Sequence, residues 1–284
     1  MAYPPLFDIC VNLSNGQFHN DWQHVVQRAW DKGVQGMALT STDLQSTREN
    51  LTKCEALSTT FPELRIGCTA GIHPHDATLT AKEDALPNDW LDQLRELHQQ
   101  PHIVAVGEMG LDYFRNFTPQ QDQQTVFAEQ LALAKEVDRS LFVHDRDASD
   151  DVLELLRAAG ELPPTVVHCF TGTYSALKAY LARDCYIGIT GWVSDPKRGA
   201  PLRELVPHIP LNRLLIETDA PFLKPANVDN ATKDWLYPTG SNKRRNEPAL
   251  LPFVVETLAE LYQVAPEEIA QASWDNACTL FAVG

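Results

Sequence analysis

The sequence of 284 residues lacks any long hydrophobic run, since no stretch approaches the about 18 consecutive apolar residues of a membrane-spanning helix. The N-terminus lacks the basic residues and cleavage site of a signal peptide, so we expect a cytoplasmic protein that does not associate with membranes. The six cysteines include no CxxC pair, and reduced thiols are therefore expected rather than a disulfide framework.

Basic residues are also scarce, because 23 Lys and Arg stand against 38 Asp and Glu, for a net charge of −15. This balance argues against a protein that holds a nucleic-acid backbone mainly through lysine and arginine. It does not exclude an enzyme that reaches a phosphodiester through bound metal ions. No GxGxxG motif follows the first apolar segment, which excludes the usual dinucleotide-binding form of an open α/β sheet.

Eight apolar segments of strand length are present, and helical patterns fill nearly all the gaps between them. Most are continuously apolar, which is typical of parallel strands covered on both faces. They span residues 6–13, 36–41, 65–74, 103–112, 141–147, 165–170, 186–193 and 214–223. This order predicts an α/β fold, a TIM-type (β/α)8 barrel, with an open doubly wound sheet as the alternative. No Pro-, Gly- and Ser-rich linker divides the chain, so one domain is expected over residues 1–284.

The clearest predicted helix begins near Thr118, as N-cap, with Pro119 in the first position and Gln121 closing a capping box. Its apolar residues at helical spacing are Phe127, Leu131 and Ala134. The other predicted helices span 21–32, 44–58, 89–99, 149–159, 175–183, 202–207, 248–263 and 266–279. Residues 224–247 are predicted to be a long loop.

Polar residues collect where the predicted strands end, which is where TIM barrels place their chemistry. The motifs GIHPHD, GEMGLD, VHDRD, VHCF and IETDAP carry His73, His75, Glu108, Asp112, His144, His168, Glu217 and Asp219. Any one of these is more often a hydrogen-bonded structural residue or a helix N-cap. It is much less plausible that chance alone places four such residues around one rim, namely Glu108, His144, His168 and Asp219. Together they predict a mixed nitrogen and oxygen site for a divalent metal.

The site residues suggest a hydrolytic mechanism. Glu108 could bridge two metals, and Asp219 could ligate metal or take a proton from the attacking water, which makes both candidate catalytic residues. Arg115 and Arg146 are candidate substrate-binding cations. Arg146 follows His144 by two residues, and a strand would direct both side chains to the same face.

The remaining histidines, one cysteine and a basic run are predicted to lie outside the metal site or to have no assigned role in it. A solvated or capping role is expected for the remaining histidines, His19, His24, His98, His102 and His208. Cys169 should point to the opposite face from His168 and contribute to packing. The basic run at 243–245 is either a solvated loop or a clamp on a phosphate backbone, and the sequence favours neither.

These motifs together resemble the TatD family of metal-dependent deoxyribonucleases, within the amidohydrolase-like TIM barrels. The resemblance lies in DICVNL (8–13), GIHPHD (71–76), VGEMGLDYFRNF (106–117), VHDRDA (143–148), VHCFTGT (167–173), IGITGWV (187–193), LLIETDAPFL (214–223) and RRNEP (244–248). It covers almost the whole chain, and GExGLD, HCFTGT and ETDAP in that order are a specific combination.

The resemblance implies metal ligation by Glu108, His144, His168 and Asp219, with His73 near the scissile phosphate as a secondary contact. It implies a divalent cation, Mg²⁺ first and Mn²⁺ or Zn²⁺ as alternatives. It also implies 3′-to-5′ exonuclease action on single-stranded DNA ends, with RNA left open as a second substrate, in a monomeric cytoplasmic enzyme of DNA repair or degradation.

The chain departs from the family in its first strand, where many members have an Asp-x-His-x-His pattern. Here Asp8 is followed by Cys10 and Asn12 in place of the two histidines. Loss of two nitrogen donors should weaken a Zn²⁺ site more than a Mg²⁺ or Mn²⁺ site, so we expect one firmly held metal and a second that binds weakly or with substrate. Two alternatives stay open. One is a metal-dependent hydrolase of a small ester, amide or aminoacyl-tRNA, and the other is a binding protein that has lost catalysis.

Overall fold

The computed structural model describes residues 4–79, 85–237 and 244–283, and its eight parallel strands pair in chain order. The strands are β1 (Leu6–Val11), β2 (Val34–Leu39), β3 (Arg65–Ala70), β4 (Ile103–Asp112), β5 (Ser140–Arg146), β6 (Thr165–Val167), β7 (Tyr186–Ile189) and β8 (Leu214–Ile216). The ring closes where Val11 pairs with Ala220, just beyond β8, and Asn12 N donates to Ala220 O at 2.9 Å. The predicted TIM-type α/β barrel is confirmed.

Helices surround the barrel in the order that the sequence predicts. The α-helices of the described residues are α1 (Trp22–Asp31), α2 (Leu44–Thr60), α3 (Trp90–Leu97), α4 (Gln120–Val137), α5 (Ser149–Ala158), α6 (Tyr174–Leu181), α7 (Ala200–Leu205), α8 (Asn230–Leu236), α9 (Leu251–Tyr262) and α10 (Pro266–Phe281). The first seven each connect one strand to the next, and the last three follow β8. None of the described helices is long and apolar enough to cross a membrane.

Helix α10 closes the end of the barrel at which the strands begin. Phe7 near the start of β1 packs against Phe281, with ring centroids 5.7 Å apart. Arg65, the first residue of β3, donates to Val283 O at 3.2 Å, and Ser140, the first residue of β5, donates to Leu280 O. Apolar side chains fill this end of the barrel, and the cavity that contains the strand-end histidines lies at the opposite end.

Strands β3, β6, β7 and β8 end four, three, four and seven residues before the predicted limits of 74, 170, 193 and 223. Beyond β6 and β8 the chain turns out of the sheet at Cys169 and Asp219, which take the left-handed backbone conformation with φ of 47° and 52°. A residue in this conformation cannot continue the β ladder. The motifs HCF and ETDAP therefore form the rim of the cavity rather than the wall of the barrel.

Two local predictions were wrong. The capping box at Thr118 does not form, since α4 begins at Gln120 and the Thr118 hydroxyl instead donates to Pro74 O at 2.6 Å. The apolar residues predicted for this helix are buried, as expected. The predicted loop at 224–247 contains α8, whose N-cap Asp229 accepts from Thr232 N at 2.6 Å. Lys243 of the basic run lies outside the described residues.

Candidate metal centre

Glu108 lines a cavity of about 1290 Å³ at the carboxyl ends of the strands. It is the sixth residue of β4, and only 6 % of its surface is exposed. Its Oε1 atom lies 2.8 Å from His168 Nε2, 2.9 Å from His144 Nδ1 and 3.3 Å from His73 Nε2. The structure thus brings together Glu108, His73, His144 and His168 from four strand ends.

The charges of this cluster are mutually dependent. Burial acts to raise the pKa of Glu108, but the imidazoles, His168 first, outweigh it and hold that pKa well below its usual range. Burial acts in the opposite direction on His168, where Glu108 and Glu217 outweigh it and raise the pKa of the ring. His73 responds mainly to burial, which lowers its pKa to about 4. An anionic carboxylate therefore stands among nitrogen donors.

These residues fit a divalent metal. Ligand atoms of His73, Glu108 and His144 all lie within 4.8 Å of one another, and Cys10, His168 and Glu217 form a second such group. His144 Nε2 is buried without a hydrogen-bond partner and lies 3.5 Å from Asp112 Oδ2. A buried nitrogen without a hydrogen bond is costly unless something coordinates it. The mixed nitrogen and oxygen donors are those that divalent cations take in proteins.

Asp219 lines the same cavity, but its carboxylate contacts residues of the first strand segment instead of the imidazoles. Its Oδ1 atom accepts from Asn12 Nδ2 at 2.9 Å and lies 3.6 Å from Cys10 Sγ. Burial raises the pKa of Asp219 to about 7. Asn12 and Cys10 occupy the places of the two absent first-strand histidines, and both contact the Asp219 carboxylate.

Asp112 was not among the predicted site residues, although it supports two of the histidines. Its Oδ2 atom lies 2.7 Å from His75 Nε2 and 3.1 Å from Arg115 Nη1, and the carboxylate is fully buried. The imidazoles outweigh burial and lower the pKa of Asp112 below its usual value. The sequence does contain a signal for this role. Asp112 follows Glu108 by four residues on β4, and residues an even number of positions apart on a strand point to the same face.

Glu217 is the second supporting carboxylate that the predicted site lacked. Its Oε2 atom lies 3.3 Å from His168 Nδ1, and its Oε1 accepts from Cys169 N. Gly188 on β7 makes room for it, since a Cβ there would lie 2.6 Å from Glu217 Oε1. In the sequence, the glycine of the IGIT motif, Gly188, is the feature that indicates a close approach of another group to β7.

The two predicted cations both line the cavity. Arg146 donates to Thr171 Oγ1 at 3.1 Å, and Arg115 pairs with Asp112. The basic run contributes differently, because Arg245 donates to both oxygens of Asp21 at 2.9 and 2.7 Å and also bonds to Glu247. Arg245 is therefore held by carboxylates, whereas Arg244 of the same run lines the cavity.

Two further predictions need correction. Cys169 does not point away from the site: it lines the cavity, because its positive φ interrupts the alternation of the strand. His98 is the C-cap of α3, which confirms one of its two predicted roles, but its side chain is buried rather than solvated, with 4 % exposed. Its Nε2 donates to Ala70 O at 3.1 Å.

Comparison with known proteins agrees with this geometry. The family model of TatD-related DNases matches residues 7–282. A protein of Rahnella sp. named 3′-5′ ssDNA/RNA exonuclease TatD is 41% identical over 280 residues, which cover 98% of this chain and 98% of that protein. The protein of the same name from Edwardsiella piscicida is 42% identical over 277 residues, with 97% and 99% covered.

The solved structures add evidence on the fold. The crystal structure of a TatD family hydrolase from Entamoeba histolytica covers 100% of both chains with a TM-score of 0.84 at 23% identity, and at this identity it supports the fold alone. Both the sequence matches and the barrel with its rim of histidines and carboxylates lead to one conclusion. The chain belongs to the family of TatD-related DNases.

Proposed function

We propose that this protein is a metal-dependent 3′-to-5′ exonuclease that hydrolyses phosphodiester bonds at the ends of single-stranded DNA, and that RNA is a second substrate. The observation that carries the proposal is the placement of Glu108 within 3.3 Å of nitrogens of three histidines, in a chain 41% identical to proteins named for this activity. A cytoplasmic monomer that acts in DNA repair or degradation is part of the same proposal.

Glu108, His144, His168 and Asp219 are the proposed metal ligands, with His73 as a secondary contact. We favour Mg²⁺ and one firmly held ion, because Asn12 supplies a neutral amide where a histidine would supply a nitrogen donor, and hard cations rely on oxygen. When bound, the metal polarises a phosphate oxygen and makes a water molecule more acidic. Glu217 orients the His168 ring through Nδ1, and supporting bonds of this kind are general in metal sites.

The side chains of the cavity have separate tasks in hydrolysis. Asp219 orients the attacking water and accepts its proton, and Asn12 holds the carboxylate in place at 2.9 Å. Arg146 and Arg115 face the charge that develops on the phosphate. Arg146 is positioned by Thr171, and Arg115 by Asp112.

The test is degradation of single-stranded DNA labelled at either the 3′ or the 5′ end, with EDTA, Mg²⁺, Mn²⁺ or Zn²⁺. We expect metal-dependent loss of 3′ nucleotides from the wild type and none from Glu108→Ala or His168→Ala. Glu129→Ala, which alters an exposed carboxylate on α4, is the matched control and should remain active. Failure of the wild type to cleave with any metal would refute the proposal and direct the search to esters and amides.

A further inference from the structure

Three exposed phenylalanine rings line the cavity. Phe114, Phe117 and Phe222 are 62%, 69% and 47% exposed, and all three line the cavity that contains Glu108. A phenylalanine has no polar tip, so its exposed faces are unfavourable in water, and several such rings in one cavity mark a binding surface more than scattered exposure does. The other large apolar side chains exposed in the described residues are Leu79, Tyr174 and Trp235.

Phe114 and Phe117 lie on the segment that joins β4 to α4. Phe114 N donates to Asp112 Oδ1 at 3.1 Å, and the Arg146 guanidinium lies 5.0 Å from the centre of the Phe114 ring. Asn116, with φ of 49°, turns the chain, and the Phe117 ring then lies 4.7 Å from His75. Both rings are therefore positioned by residues that contact Asp112 or line the cavity.

Phe222 approaches the cavity from the segment that follows β8. Its backbone N donates to Asp219 O at 2.9 Å, and its carbonyl accepts from Asn246 Nδ2 at 2.6 Å. The same amide donates to Thr218 O at 2.9 Å. The backbone of Phe222 is thus attached to the residues that place the Asp219 carboxylate.

The side chains that line the cavity carry charges of both signs rather than a predominantly positive charge. The protein carries a net charge of −15. Asp43, Glu49 and Asp76 line the cavity together with three arginines, of which Arg115 is already paired with Asp112. The three are Arg115, Arg146 and Arg244. Attraction of the arginines to phosphates is therefore partly offset by these carboxylates. Stacking of bases on aromatic rings is an alternative source, and it contributes roughly 5- to 150-fold in affinity per base.

We propose that Phe114, Phe117 and Phe222 form a stacking platform for the unpaired bases next to the scissile phosphodiester. This inference rests on the proposed function. It identifies the part of the substrate that the site recognises, which is the flat faces of the bases in a single strand. A duplex cannot present those faces, because its bases are stacked on one another. Trp192 also lines the cavity, but its side chain is only partly exposed and its indole N–H donates to the backbone carbonyl of Arg198, so it is not part of the platform.

The first test measures binding of a fluorescent single-stranded DNA by anisotropy in EDTA, where no turnover occurs. We expect Phe114→Ala, Phe117→Ala and Phe222→Ala each to raise the Kd at least about fivefold, and the matching Phe→Tyr variants to bind like the wild type. Tyr174→Ala and Trp235→Ala remove exposed aromatics that do not line the cavity, and they should bind normally. Wild-type affinity in all three cavity variants, or no binding by the wild type in EDTA, would overturn the platform.

The second test uses an oligonucleotide of the same length whose residues near the 3′ end are abasic. The wild type should bind it at least as weakly as each alanine variant binds normal DNA, and the variants should bind the abasic strand no more weakly than the wild type does. With normal DNA and metal, the variants should raise KM and leave kcat unchanged. If no metal supports cleavage, the proposed exonuclease fails, whereas the platform is still judged by the binding of normal and abasic strands.

Discussion

At the scale of single residues, the orientation of the imidazoles around Glu108 depends on carboxylates that do not contact Glu108 themselves. Asp112 accepts from His75 and Arg115 and lies 3.5 Å from His144. Glu217 holds His168 by its other ring nitrogen. Supporting groups of this kind set which ring nitrogen faces the metal and how basic it is.

Replacement of Asp112 by asparagine tests this dependence. Asp112→Asn preserves the size of the side chain but removes the charge that holds His75 and Arg115, so we expect the Mg²⁺ concentration for half-maximal nuclease activity to rise about 10- to 100-fold. Titration of activity with Mg²⁺ measures the effect. Asp92→Asn, at a side chain that is 78% exposed on α3, is the control. An unchanged Mg²⁺ requirement in Asp112→Asn would remove Asp112 from the site.

At the scale of elements, His98 links the end of α3 to the end of β3 by its bond to Ala70 O. The carbonyl can only accept, so Nε2 carries the proton, and Nδ1 is buried without a partner. Burial lowers the pKa of His98 from 6.5 to about 4, and the charge of Arg139 acts in the same direction. The folded protein therefore binds this proton less readily than the unfolded chain does.

The pKa of His98 predicts a pH dependence of stability. Between about 6.5 and about 4 the unfolded chain holds more protons at this position than the folded one, so the free energy of unfolding should fall as the pH falls. His98→Gln, whose amide can still donate to Ala70 O, should lose less stability over this window than the wild type, by about 3 kcal/mol. Urea unfolding at neutral pH and near pH 4 measures the difference. Parallel curves for the two proteins would contradict the prediction.

Helix α10 provides a second prediction at this scale. Phe281 is 2% exposed and packs on Phe7 at the closed end of the barrel. Phe281→Ala should lower the free energy of unfolding by about 3–5 kcal/mol because it leaves a cavity. The specific activity of the folded fraction should not change, since the metal centre lies at the other end. Thermal unfolding measures the effect, with Leu79→Ala, at a side chain that is 40% exposed, as the control. An equal loss of stability in Leu79→Ala would refute the prediction that α10 stabilises the barrel by closing this end.

At the scale of the whole molecule, the bridge between Val11 and Ala220 and the position of α10 join the first and last parts of the barrel. We therefore propose that residues 1–284 unfold as one domain, in a single calorimetric transition. A bound metal stabilises only the folded state, and Mg²⁺ at 100 times its Kd should add about 2.7 kcal/mol. Glu108→Ala should lose this shift. Two separate transitions would refute the single domain, and an equal Mg²⁺ shift in Glu108→Ala would refute metal binding at this centre.

Much of the fold follows from local patterns that the sequence displays. Continuous apolar segments alternating with helical periodicity predict the barrel, because parallel strands covered on both faces require those residues. The segment at 230–236 was missed, since it lies in a polar, proline-containing stretch and its N-cap Asp229 resembles a turn residue. The ends of β3, β6, β7 and β8 were also placed too late, and beyond β6 and β8 the chain turns out of the sheet at Cys169 and Asp219, which have a positive φ.

The sequence by itself determined the barrel, the order of its elements and the presence of Glu108, His144, His168 and Asp219 at strand ends, because strand period and motif order are local properties. Only the tertiary structure decided that Asp112 and Glu217 support the histidines, that Arg245 pairs with Asp21, and that exposed phenylalanines line the cavity. Those relations join residues far apart in the chain. Their distances are set by closure of the barrel and the packing of its segments, which no local pattern contains.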